Sequence, residues 1–226
     1  SSREHSFFSI SGNLATQTPQ AVGWAMASAI KGDSRIAATW VGEGSTAEGD
    51  FHSACTFATV YNAPVILNVI NNQWAISVPR AAQTGAKTLA QKGLAGGLEC
   101  LQVDGNDIIA VRDVMDRALE RARNGEGATF IEALTYRLSD HTTADDARRY
   151  RDAAEVEDAK TKVIGWLEEK GLDHAAKAQL LETRFREAIA ITRKFLDHAI
   201  SKKVAQIRAM DTVRNAPRLL GGRVLH

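Results

Sequence analysis

Cysteine is scarce in this chain. Of 226 residues only Cys55 and Cys100 are cysteines. Both sit inside apolar patterns, so a disulfide framework is excluded and reduced core thiols are expected. An excess of charge is missing too: 28 basic residues stand against 27 acidic ones. That balance gives no overall electrostatic reason to bind nucleic acid. No apolar run is long enough to span a bilayer, and the N-terminus shows neither a signal h-region nor an Arg- and Ser-rich presequence. Neither a nucleic-acid nor a membrane partner is expected. There is no internal repeat or low-complexity tract. Basic residues are unevenly spread: in the last stretch, from Ser201, Lys202, Lys203, Arg208, Arg214, Arg218 and Arg223 face Asp211 alone, which reads as a solvated or partner-facing tail. The abrupt start at Ser1 suggests part of a longer polypeptide.

What is present is a hydrophobic content of 44%, enough for one substantial core with or without an appendage. Leu14–Lys31 is rich in Ala and other small residues at helical spacing, with Pro19 placed in its first turn and Gly32-Asp33 as its stop. Ile36–Val41 and Val65–Ile70 are short, β-branched, bounded runs, hence buried strands. Asp50–Tyr61 between them is a helix with Phe51, Ala54, Cys55 and Ala58 on one stripe. The stretch 77–97 is irregular and Gly-rich, a loop long enough to be functional. Leu98–Val103 reads as a third strand and Ala128–Tyr136 as a fourth. Ile108–Arg123 between them is a helix whose Ile109, Val111, Val114, Met115 and Leu119 point inward. Alternating strands and helices argue an α/β fold with a parallel sheet covered by helices on both faces. From Asp152 the composition turns charged and Leu/Ala-rich, with helices expected over Val156–Lys170 and His174–Met210, so residues 1–150 are read as the α/β domain and 151–226 as a helical appendage for subunit packing.

Ligands of such folds sit at the carboxyl ends of the strands. One end carries Gly42-Glu43-Gly44 and another Asn71-Asn72. A divalent cation holding a diphosphate needs hard oxygens; Glu43 offers a carboxylate, Asn72 an amide oxygen, and the main chain near Trp74 a third. Gly42 and Gly44 would let the backbone approach phosphates closely. Each half alone is an ordinary turn or strand-end loop, and the combination is what points to a site. The segment YRLSDHTTADDARRYR follows the fourth strand onto the same rim and mixes imidazole, guanidinium and carboxylate groups. Alone it reads equally well as a solvated charged loop or as a proton-handling one.

Gly42-Glu43-Gly44, then 26 residues, then Asn71-Asn72 resembles the thiamine-diphosphate signature in its Glu-containing variant. The words ISGNLATQTPQAVGWAMA, GEGSTAEGDFHSA, NNQWAIS and YRLSDHTTADD resemble the α subunit of the branched-chain 2-oxo acid dehydrogenase (2-oxoisovalerate dehydrogenase) decarboxylase component. The likeness is close from Glu4 to Tyr150 and loose beyond. It implies the diphosphate-binding half of a thiamine-diphosphate fold, with Mg2+ held by Glu43, Asn72 and the main chain of Trp74. The cofactor would be lined by Gly12, Leu14, Gly42, Gly44, Ser45, Thr46, Ala75, Ile76 and His141. Ser11, Asn13, Thr16 and Gln17 match a stretch that holds a structural K+ in relatives. His141 and Arg137 match active-site positions, with Tyr136, Asp145 and Asp146 in the same loop, and Thr142 stands where mitochondrial relatives carry a regulatory phosphoserine.

The implied activity is 3-methyl-2-oxobutanoate dehydrogenase, an oxidoreductase that decarboxylates a small 2-oxo acid and transfers the acyl group to a lipoyl arm. The implied partners are a β subunit, which supplies the aminopyrimidine half of the site in a heterotetramer, and the lipoyl acyltransferase core of a multienzyme complex. Without the β subunit the chain is expected to be inactive. The expected location is the cytoplasm of a bacterium, or the mitochondrial matrix after loss of a presequence. A pyruvate or acetoin dehydrogenase α subunit, or a truncated non-catalytic oligomerisation or regulatory relative, stays open beside it. The chain departs from the family in three ways: it lacks a long N-terminal region with a diphosphate-gripping Tyr-Arg pair, it has Ile70 where some relatives have arginine, and its C-terminal end diverges.

Overall fold

The structure is a computed structural model that describes residues 2, 4, 6–8 and 11–169, those from 163 on by their backbone alone. Helix α1 (Gln17–Ile30) is followed by β1 (Ala37–Gly42), a 3-10 turn (Glu43–Ala47), α2 (Gly49–Val60) and β2 (Val65–Asn71). A two-stranded hairpin, β3 (Trp74–Ala75) with β4 (Val78–Pro79), leads to the short helices α3 (Arg80–Gln83) and α4 (Ala90–Ala95). Then come β5 (Glu99–Asp104), α5 (Ile108–Arg123), β6 (Thr129–Leu134) and α6 (Ala153–Glu169). Chain contacts divide the protein into Ser1–Val163 and Ile164–His226. The helix expected over His174–Met210 lies outside the described residues.

Four strands form one sheet in the order β1-β2-β6-β5, and all of its pairs are parallel. The inner strands β2 and β6 are buried almost without interruption, while β1 alternates between buried and exposed, as inner and edge positions dictate. One face packs Val41, Val65, Leu67, Val69 and Phe130 under α1, α2 and α4; the opposite face packs Ile66, Val103, Ile131 and Ala133 under α5. Helices on both faces of a parallel sheet are the architecture the sequence implies. On the α5 face the edge strand β1 leaves Ala38 and Trp40 exposed.

Differences from the sequence reading are local. Helix α1 begins at Gln17 rather than Leu14, because Ala15 takes a left-handed conformation with φ 60°; Leu14 is thereby 61% exposed. Ile109, expected inward, is 79% exposed, while the expected Val111, Val114, Met115 and Leu119 do pack against the core, beside Ala118. The stretch 77–97 is not irregular throughout, since it holds β4, α3 and α4. The fourth strand ends at Leu134, which releases Thr135, Tyr136 and Arg137 to the rim.

Candidate functional site at the strand ends

The register sets the site. Gly42 is level with Ile70, and Asn71 is level with Leu134, so Glu43, Asn72 and Thr135 emerge side by side from adjoining strands. Glu43 opens the 3-10 turn and is only 1% exposed. Its Oε2 accepts the backbone N–H of Asn72 at 3.1 Å. Its Oε1 is buried and has no partner among the described residues. A buried carboxylate oxygen left without a donor is costly, and it fits a hard cation. Among the described residues no three His, Cys, Asp or Glu side chains converge as metal ligands. An ion here would rest on one carboxylate plus neutral oxygens, with the remaining coordination left to phosphate.

The turn beyond Asn72 is held tightly. Asn72 Oδ1 accepts Trp74 N–H at 3.2 Å, and Asn71 Oδ1 accepts Gln73 N–H at 3.3 Å. Gln73 and Ile76 both adopt left-handed φ, 74° and 53°, a local cost that sites of function tend to store. Gly44 is required: a Cβ there would lie 2.8 Å from the Cβ of Ala75. In the 3-10 turn each N–H bonds the carbonyl three residues back, so only the first N–H groups, those of Glu43 and Gly44, lack an acceptor inside the turn. The side chains of Ser45 and Thr46 are buried; Thr46 Oγ1 donates to Glu43 O at 2.7 Å and receives Lys92 Nζ at 2.8 Å. Burial, then the charge of Arg80, lowers the Lys92 pKa.

Trp74 O, the expected third metal oxygen, accepts Arg137 Nη1 at 3.0 Å. A carbonyl has two lone pairs, so this bond does not remove it from the donor set. Arg137 Nη2 also donates to Ile76 O at 2.7 Å and to the Tyr150 hydroxyl at 2.8 Å. Tyr150 donates in turn to Asp145 Oδ2 at 2.5 Å, which also accepts the backbone N–H of His141 at 2.8 Å. That hydroxyl, then the His141 N–H, holds the Asp145 carboxyl below the usual carboxylate range. The loop is therefore folded onto the turn between Asn71 and Ile76, with the exposed His141 Nδ1 3.5 Å from Arg137 Nη1.

At the other side of the rim, Gly12, Asn13 and Leu14 are exposed. Ser11 Oγ accepts Asn13 N–H at 3.2 Å. Gln17 Nε2 donates to Trp40 O at 3.3 Å, while Gln17 Oε1 is buried without a partner among the described residues. Thr16 is the N-cap residue of α1 and its side chain makes no capping bond. Of the expected potassium ligands, Gln17 alone presents a buried, unsatisfied oxygen.

Sequence reasoning passed over Glu132, Tyr150, Arg151 and Glu155. Arg151 donates to the carbonyls of Arg137, Leu138 and Ser139. Glu155 Oε1 receives both Trp74 Nε1 at 3.0 Å and the Tyr136 hydroxyl at 2.8 Å, tying the first turn of α6 to the turn that carries Trp74. Burial, then the bond to Glu155, raises the Tyr136 pKa. Only Glu132 gave a signal, as a charge inside an otherwise buried strand.

Residues 1–201 match the family described as dehydrogenase E1 component. The 2-oxoisovalerate dehydrogenase subunit alpha of Pseudomonas aeruginosa is 59% identical over 154 residues, covering 68% of this chain and 38% of that one. The 3-methyl-2-oxobutanoate dehydrogenase subunit alpha of Mycobacterium tuberculosis is 41% identical over 188 residues, 78% of this chain and 51% of that one. The pyruvate dehydrogenase E1 component subunit alpha of Acholeplasma laidlawii is 46% identical over 133 residues, 59% and 39% of the two chains. The chain thus spans about half or less of the length of these curated relatives. Among solved structures, transketolase from Leishmania mexicana aligns over 54% of this chain and 20% of its own, with TM-score 0.47 and 19% identity. Buried carboxylate, glycine turn, paired asparagines and family match converge: the chain belongs to the dehydrogenase E1 component family.

Proposed function

We propose that this chain is the diphosphate-binding part of the α subunit of a branched-chain 2-oxo acid dehydrogenase, 3-methyl-2-oxobutanoate dehydrogenase. The observation that carries the reading is Glu43 Oε1, buried and without a partner among the described residues, beside Asn72 at adjoining strand ends. Glu43 Oε1, Asn72 Oδ1 and Trp74 O are the oxygens that would hold Mg2+ on thiamine diphosphate, and Gln17 Oε1 supports a K+ beside the start of α1. When bound, the cofactor supplies a ring that takes up the electrons left by decarboxylation. The chain's own residues bind and orient. The N–H groups of the glycine turn receive phosphate oxygens, and exposed Leu14 and Ile76 offer apolar surface to a ring. Arg137 pins the metal turn to the His141 loop, which leaves the imidazole at the rim, where it is free to exchange a proton with substrate or acyl acceptor.

A β subunit would complete the site, and a lipoyl arm would collect the acyl group in a multienzyme complex, in the bacterial cytoplasm or the mitochondrial matrix. A second reading, a pyruvate dehydrogenase α subunit, is favoured by the Acholeplasma relative. Decarboxylation of 3-methyl-2-oxobutanoate and of pyruvate by the full-length subunit with its β partner separates the two. Faster turnover of the branched substrate is expected; turnover of pyruvate alone overturns the assignment. In the same assembly His141→Ala should retain cofactor binding and lose lipoyl acylation, and unchanged acylation overturns that role.

A further inference from the structure

Glu132 is a carboxylate in the middle of β6 with 0% of its surface exposed, and nothing in the reading above uses it. Three donors converge on it. Asn71 Nδ2 lies 2.7 Å from Oε1, while Ala90 N and Gln102 Nε2 lie 2.9 and 3.1 Å from Oε2. All three are N–H groups, so the position needs a group that accepts at both oxygens. An amide of the same shape would set donor against donor. The bond from Asn71 also decides which way the Asn71 amide faces: with Nδ2 on Glu132, Oδ1 is left to accept Gln73 N–H at 3.3 Å and Gln73 Nε2 at 3.1 Å. Those bonds close the turn in which Gln73 takes its left-handed φ of 74°. Asn72 and Trp74 flank that residue.

We propose that Glu132 is a positioning residue for the metal turn. Acting through the Asn71 carboxamide, it fixes the left-handed turn at Gln73 that presents Asn72 and Trp74 to the metal-diphosphate. The inference rests on the reading of Glu43, Asn72 and Trp74 as the metal site. In Glu132→Gln the new NH2 group meets the Asn71 NH2 group. The Asn71 amide then either loses that bond or flips and turns a donor toward Gln73 N–H. The reciprocal exchange, Glu132→Gln with Asn71→Asp, restores every donor–acceptor pair. The amide at 132 then donates to the carboxylate at 71, which accepts from Gln73, while the amide oxygen at 132 still faces Ala90 N–H and Gln102.

The test uses the full-length subunit assembled with its β partner, with manganese(II) as probe at saturating thiamine diphosphate and free manganese counted by its electron paramagnetic resonance signal. Glu132→Gln is expected to weaken manganese binding about tenfold or more, the scale of one lost buried hydrogen bond. The double exchange should return the affinity to within roughly threefold of the parent. Loss of fold alone predicts no such rescue. Parent-like affinity in Glu132→Gln, or a double exchange no better than the single, overturns the inference. If Glu132→Gln does not assemble, Asn71→Ala carries the same expectation, and parent-like affinity there overturns it equally. A parent that binds no manganese with the cofactor overturns the metal assignment itself, an outcome distinct from failure of the positioning role alone.

Discussion

Removing Glu43 should make the cofactor-free protein more stable and the loaded protein less so. The carboxylate is buried, one oxygen accepts Asn72 N–H and the other has no partner among the described residues. Glu43→Leu keeps the side-chain volume close. It forfeits one hydrogen bond, worth about 1 kcal/mol, and abolishes an unsatisfied buried oxygen costing about 1–3 kcal/mol, more where charge is involved. The balance is a gain of up to about 2 kcal/mol, or up to roughly 8 °C in Tm for a domain of this size. Ligand binding works the other way. At a free concentration of about a hundred times Kd, a ligand adds about 2.7 kcal/mol to the parent, roughly 5–11 °C on the same scale, and nothing to a variant that cannot hold the metal. The assay is differential scanning calorimetry of the full-length subunit with its partner, with and without Mg2+ and thiamine diphosphate. The order of the two proteins should reverse on adding ligand. A Glu43→Leu protein that melts lower than the parent without ligand, and still rises with it, refutes the reasoning.

Gly44→Ala pushes a methyl to within 2.8 Å of Ala75 Cβ; a loss of about 1–3 kcal/mol and a fall in cofactor affinity should appear together in melting and calorimetric titration. Asp145 has its pKa depressed by the Tyr150 hydroxyl first and the His141 N–H second. The stability it lends the loop is therefore present above the unfolded carboxylate value near 3.9 and lost as pH falls through the lower folded value. Pepsin cleavage within 139–151 should rise only below about pH 4, and Tyr150→Phe should move that rise to higher pH; the same onset in both proteins contradicts the network. Burial pushes the Cys55 thiol up to about 12 and the Cys100 thiol up to about 11, with Cys100 and Glu99 as the respective second causes. Neither should react with iodoacetamide at pH 8 until the protein is unfolded, and rapid native labelling would contradict the burial.

The bounds of the helix over Ile108–Arg123 were legible, though not the outward turn of Ile109, because its end signals are local: Asp107 caps it, accepting from Ile109 N at 2.9 Å and Ala110 N at 3.1 Å, and Gly125 follows with φ 73°. Glu43 and Asn72 could be paired from sequence since each directly follows a recognisable strand. Helix α4 could not be seen: it is a single short helix, AQKGLA, too short to show an apolar period, and its two anchors come from Glu132 and Thr46, far away in the chain. Glu155 carried no signal at all, being one acidic residue among many on an exposed helix. Its partners Trp74 and Tyr136 are supplied by the fold. The left-handed Ala15 likewise gave no warning, and it alone decides that Leu14 stands clear of the helix.

The strand order also has a temporal side. Residues 129–134, which enter the ribosomal tunnel last among the described sheet strands, take the place between β2 and β5. A nascent chain that has emerged only as far as Arg123 therefore holds two bare apolar flanks with nothing to zip them. Such late closure is slow and sticky. A chain whose emergence halts between α5 and β6 should depend on holding chaperones, whereas one that has emerged past Leu134 should hold a sheet already shut.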